Sequence, residues 1–154
     1  MIQRIQTLYL LLISALIAVM FLLPLAWFAG EGGVFELRAF ALRSTDGQTV
    51  HTTIYLIVLL AAALLLPLVT IFLYRRRLLQ IRLCCVEIVL LLGCLLMEGV
   101  YYYLAHRAFA DWTFHAQGIK PAIALPVVGL FFACLAAKAI FKDELLIRES
   151  DRIR

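Results

Sequence analysis

Two carboxylates offer the first chemistry in this chain. Glu87 and Glu98 stand eleven residues apart in an otherwise apolar stretch, residues 83–104. On an α-helix that spacing brings both side chains within about 20° of one face, roughly 16 Å apart along the axis. A charge inside a membrane-length helix is costly, so such residues face a bundle interior, a partner or water. The pair could pass on a proton or a cation, or each member could be locked in a structural contact. Lys138 falls at a depth similar to Glu87, in the last apolar stretch, which makes a Glu87–Lys138 pair the leading structural expectation. Snorkelling of Lys138 to the headgroups competes with it. For Glu98 the candidate partners are His51, Tyr55, Tyr102 and His106.

Other reactive side chains offer less. Cys84, Cys85, Cys94 and Cys134 all fall inside apolar stretches, and the adjacent Cys84–Cys85 pair is not a metal-ligand spacing. They read as small buried apolar residues. His106, Asp111 and His115 could be imagined around a metal, but no ligand-spacing motif joins them. No nucleophile–base pair stands out, so neither a catalytic residue nor a cofactor is expected.

The elements that must carry Glu87 and Glu98 follow from composition. Hydrophobic residues make up 65% of the 154, against about half in an ordinary soluble protein, and the mean hydropathy is +1.00. This is a polytopic membrane composition. The net charge of +4 does not point to nucleic acid, because the basic residues sort by membrane side instead of clustering on one solvated face. Four spans are predicted, over residues 5–28, 53–74, 83–104 and 121–141. The first reads as an uncleaved helix with Pro24 in its last turn and Trp27 and Phe28 at headgroup level. Pro67 is expected to kink the second, and Pro121 to open the fourth.

Between the spans, residues 30–53 form the longest polar segment. Phe35, Leu37, Ala39 and Ala41 alternate with Glu36, Arg38, Phe40 and Leu42, Asp46–Gly47 is a turn signal, and 48–52 can return as a second strand. A short extracytoplasmic β-hairpin resting on the helix ends is therefore expected. Tyr101 to Tyr103, with Phe109, Trp112 and Phe114, read as an interfacial aromatic belt. Residues 142–154 read as a cytoplasmic helical tail supported by Glu144 and Arg148 four apart. Arg4, Arg75, Arg76, Arg77, Arg82, Lys138, Lys142, Arg148, Arg152 and Arg154 would lie on one side, and Arg38, Arg43, Arg107 and Lys120 on the other. Ten against four places both termini in the cytoplasm. No internal repeat of the kind found in inverted-repeat transporters is visible.

The opening Met1-Ile2-Gln3-Arg4-Ile5-Gln6-Thr7-Leu8-Tyr9-Leu10-Leu11-Leu12 resembles the start of a small Bacteroidota inner-membrane family known as domain of unknown function 4293. The closing Lys142-Asp143-Glu144-Leu145-Leu146-Ile147-Arg148, with Ser150-Asp151-Arg152-Ile153-Arg154, is similar to that family's charged tail. The resemblance spans essentially the whole chain and implies a four-helix bundle in the bacterial inner membrane. It brings no activity, ligand or catalytic residue. The expectation is an all-α membrane protein acting, without catalysis, as an accessory or scaffold subunit of a larger assembly. Its partners would be membrane lipid and other subunits or further copies of itself, with Arg4, Arg148, Asp151 and Arg152 as docking residues. The alternative is a small proton- or cation-coupled transporter using Glu87 and Glu98.

Overall fold

The computed structural model describes residues 2–30, 33–44, 48–73, 76–108 and 114–152. Its frame is four long apolar helices: α1 (Ile2–Leu22), α2 (Ile54–Phe72), α3 (Arg77–Ala108) and α4 (Leu125–Arg152). Each contains a stretch long and apolar enough to cross a membrane. They pack as a closed ring, α1 on α2, α2 on α3, α3 on α4 and α4 on α1, in up-down-up-down order. Small side chains let the neighbours approach closely. Gly129, Ala133 and Ala136 lie on the buried face of α4. A Cβ placed at Gly129 would come within 3.6 Å of the Leu91 methyl groups on α3.

One end of the ring carries a five-stranded antiparallel sheet in the order β4-β3-β2-β1-β5. The strands are β1 (Pro24–Gly30), β2 (Gly33–Arg38), β3 (Ala41–Ser44), β4 (Thr49–Thr52) and β5 (Phe114–Ile119). The expected hairpin is present as β3 paired with β4, although its Asp46–Gly47 turn lies outside the described residues. The sheet is larger than a hairpin for two reasons. First, α1 stops at Leu22, so residues 24–28, expected as the end of the first span, are strand. The last α1 bond runs from the Leu23 amide to the Val19 carbonyl, 3.2 Å. Pro24 has no amide to continue the series and pushes its predecessor out of helical geometry. As the first residue of β1 it is well tolerated. Second, β5 arrives from the other loop and pairs with β1 from Ala26↔Ile119 to Gly30↔Phe114.

The single alternating run expected over 35–42 is two strands. Phe35, Leu37 and Ala39 are buried, but the chain bends at Ala39–Phe40 and returns, so Leu42 pairs with Leu37 and is buried too. Thr53 closes this corner: its hydroxyl donates to the Ala39 carbonyl at 2.6 Å, and its amide donates to the Phe40 carbonyl. On the other side of the sheet Glu36 accepts from both Arg38, at 2.9 Å, and Lys120, at 3.1 Å. The Lys120 contact ties the residue after β5 to β2.

The remaining boundaries differ modestly from expectation. Helix α3 begins at Arg77 instead of residue 83 and reaches Ala108. Helix α2 runs through Pro67, and a 3₁₀ turn, Pro121–Ala124, precedes α4. Helix α4 continues without a break through the predicted tail to Arg152.

Candidate functional site: a polar stripe inside the bundle

The buried positions of α3 are Gln80, Cys84, Glu87, Leu91, Cys94, Glu98 and Ala105. From Gln80 to Glu98 they recur at alternating steps of four and three residues, and Ala105 follows seven further on, the spacing that keeps one seam of a helix turned toward its neighbours. In a bundle whose interior is mostly apolar, five of these seven side chains are polar or thiol-bearing. Glu87 and Glu98 are each 1% exposed, as expected of two carboxylates eleven apart on one face.

Neither carboxylate finds the partner proposed for it. All four oxygens of Glu87 and Glu98 are buried without a hydrogen-bond partner among the described residues. The Glu87–Lys138 pair does not form, and the helix geometry explains why. Leu91 faces Gly129, so in this antiparallel pair Glu87 is level with Ala133. Lys138 lies five residues, about 7.5 Å, nearer the end of α4. It also stands two residues from each of the buried positions Ala136 and Ile140, about 200° around the helix, and is exposed on the outer face. Of the partners suggested for Glu98, Tyr102 packs its ring on Phe28 at 5.5 Å between centroids. His51, Tyr55 and His106 are exposed.

Around the carboxylates the other buried polar groups are satisfied. Gln80 donates through Nε2 to the Thr70 carbonyl at 3.0 Å, and the Thr70 hydroxyl donates back to Leu66 at 2.7 Å. Ser14 donates to the carbonyls of Leu10 and Leu64, each at 3.3 Å, and Gln6 Nε2 to that of Ala139 at 3.2 Å. These bonds stitch neighbouring helices together. Among the described residues the glutamates stand apart as the unsatisfied members of the interior.

A cavity of about 330 Å³ opens beneath the sheet, between β2, β3, β4 and the last turns of α3. Buried Leu37, Leu42, Thr53 and Ala105 line it together with exposed His51 and Arg107. Ala105 belongs to the same buried seam as Glu98, two turns further along α3.

The cysteines divide. Cys84 and Cys94 are buried on the seam as expected, whereas Cys85 and Cys134 are exposed, a correction to their reading as core residues. Cys85 is one step, about 100°, past Cys84 and therefore off the seam. Among the described residues no group of three His, Cys, Asp or Glu side chains could hold a metal ion. Asp111 and Trp112 lie outside the described residues. Arg4, Arg148, Asp151 and Arg152 are placed on α1 and α4 at the same end of the bundle. Their side chains lie outside the described residues, so their docking role is untouched by the geometry.

Gln80, Cys84 and Cys94 were missed as members of the site. The signal existed: residues 80, 87 and 94, and 84, 91, 98 and 105, are two seven-residue series in the sequence. Uniform hydropathy on the other faces hid which series turns inward.

A family model described as a domain of unknown function, DUF4293, matches residues 2–153. No curated protein matches the chain.

Proposed function

The chain belongs to the DUF4293 family, and from that premise we propose that it is an integral membrane protein whose interior takes up a proton or a small cation at Glu98 and Glu87. One observation carries this reading: both carboxylates are buried on a single polar seam with no hydrogen-bond partner among the described residues. An interior carboxylate is relieved by a donor, a counter-charge or a proton. A structural role for Glu87 rested on Lys138, and Lys138 faces the other way. Cys94 lies between the two glutamates and Cys84 and Gln80 continue the seam past Glu87, leaving Leu91 as the apolar step between Glu87 and Cys94. Across roughly 16 Å such a seam needs water to complete a path. The setting is the bacterial inner membrane with both termini cytoplasmic, which the ten-to-four distribution of basic residues supports. No bond-breaking chemistry is assigned to the chain.

Flux measured in proteoliposomes tests this. Proton or monovalent-cation flux above that of empty vesicles is expected, falling at least tenfold in Glu98→Gln and Glu87→Gln while both variants still insert and remain monodisperse. Wild-type flux equal to that of empty vesicles sinks the proposal.

A second reading is favoured by a different observation. Helix α4 runs past its apolar span, which ends at Leu146, to Arg152. A charged helical extension suits docking, and on this reading the chain is an accessory subunit of a larger membrane assembly. Absence of flux together with a stoichiometric partner that is lost on deleting residues 147–154 would decide for it.

A further inference from the structure

Lys138 and Lys142 stand four residues apart on α4, so both project from one side of the helix. Both are exposed, and both fall within the last three turns of the apolar span Pro121–Leu146. A cation on the outer face of a spanning helix cannot be neutralised from the core and reaches for the headgroups. Here it has a built surface to reach across. The two lysines line a groove of about 370 Å³ between α4 and the start of α1, walled by Ile5, Tyr9, Leu135 and Ala139. Asp143 lines it as well, so two ammonium groups face one carboxylate and the groove stays net positive. Ile5 opens the apolar span of α1 and Leu146 closes that of α4, which sets the groove at the polar–apolar boundary of the bundle.

We propose that this groove is a binding site for one anionic phospholipid. The phosphate sits between the ammonium groups of Lys138 and Lys142, and an acyl chain runs along the apolar seam of α1 and α4 past Tyr9 and Leu135. Basic pockets between spanning helices are suited to such headgroups, and each lysine adds to the attraction. A zwitterionic lipid presents the same phosphate with a compensating ammonium group, so the net-positive groove discriminates against it. The site is separate from the interior carboxylates and depends only on the membrane setting.

Native mass spectrometry of the full chain released from detergent provides the test. The probes are phosphatidylglycerol and phosphatidylcholine with identical acyl chains. One phosphatidylglycerol per chain should be retained, at least about tenfold in preference to phosphatidylcholine. The double variant Lys138→Gln/Lys142→Gln should lose that preference, and Lys138→Gln alone should lose part of it. Arg43→Gln, at the sheet end, should leave it unchanged. Glycerophosphate, which carries the headgroup chemistry without chains, should not compete. Equal retention of both lipids, retention unaffected by the double variant, or full competition by glycerophosphate overturns the site. Flux through Glu87 and Glu98 is expected to persist in the double variant, which separates this outcome from that of the ion-uptake reading.

Discussion

A single residue type carries opposite roles in this chain, and the surroundings decide which. Glu36 on the sheet has both Arg38 and Lys120 within hydrogen-bond reach. The guanidinium first, and then the ammonium group, hold its carboxyl below the usual carboxylate range. A carboxyl whose pKa is lower folded than unfolded contributes stability above its unfolded value and loses it as the pH falls through its folded value. Glu36→Gln should therefore destabilise the sheet at neutral pH by under about 1 kcal/mol, since the pairs are partly exposed. That difference should begin to shrink as the pH falls below about 4 and should go on shrinking through the lowered folded value. Melting wild type and variant side by side across pH 3 to 7, a range spanning the ordinary carboxylate titration, checks the sign. A gap that widens toward acid would refute the assignment. Glu87 and Glu98 are the counter-case, with the same functional group and no hydrogen-bond partner among the described residues. Lys138 completes the lesson, because depth alone suggested a pair that the angle around α4 forbids.

Among the elements, the sheet has one pairing set by close approach of a side chain to a backbone. Trp27 on β1 lies across Gly118 on β5, its paired residue in the register. A Cβ at position 118 would come within 2.5 Å of Trp27 Nε1 and 2.8 Å of Cε2. A glycine is required there by close approach. Gly118→Val should expel the indole and loosen β5 from β1, at a cost of about 1–3 kcal/mol. With Trp112 replaced by Phe so that Trp27 reports alone, the variant's emission should shift to the red. An unchanged spectrum would mean that the ring does not rest on Gly118. The helices carry their own restraints in the Gln80–Thr70, Ser14–Leu64 and Gln6–Ala139 bonds. These bonds hold together three of the four neighbouring helix pairs around the ring, α2 with α3, α1 with α2 and α1 with α4.

At the scale of the whole molecule, the four-helix ring, the sheet at one end and the arginine-rich turn with the α4 extension at the other make a polar object along its axis. Basic residues gather at the end opposite the sheet, which predicts the orientation in the membrane. In a cysteine-free background, Gln48→Cys should react with an impermeant maleimide on intact cells, and Arg76→Cys only after permeabilisation. Both positions are exposed. The reverse pattern would invert the assignment and with it the side from which Glu98 is reached.

Much of this architecture was legible in the residues themselves. Four apolar runs in a chain with mean hydropathy +1.00 set four helices, because a backbone in lipid must satisfy its own hydrogen bonds. The eleven-residue interval put Glu87 and Glu98 on one face for the same reason of helical period. The strand Pro24–Gly30 was hidden because its residues, Leu25-Ala26-Trp27-Phe28-Ala29, are as apolar as the helix before them, and hydropathy does not distinguish a buried strand from a span. Its pairing with β5 joins residues some ninety positions apart, a distance over which no local pattern speaks. Only the tertiary structure could decide which way each polar side chain of a span points. Local sequence gives the angle between Glu87 and Glu98, but the packing of α4 against α3 and α1 sets the absolute rotation that sends Lys138 outward and leaves both carboxylates within.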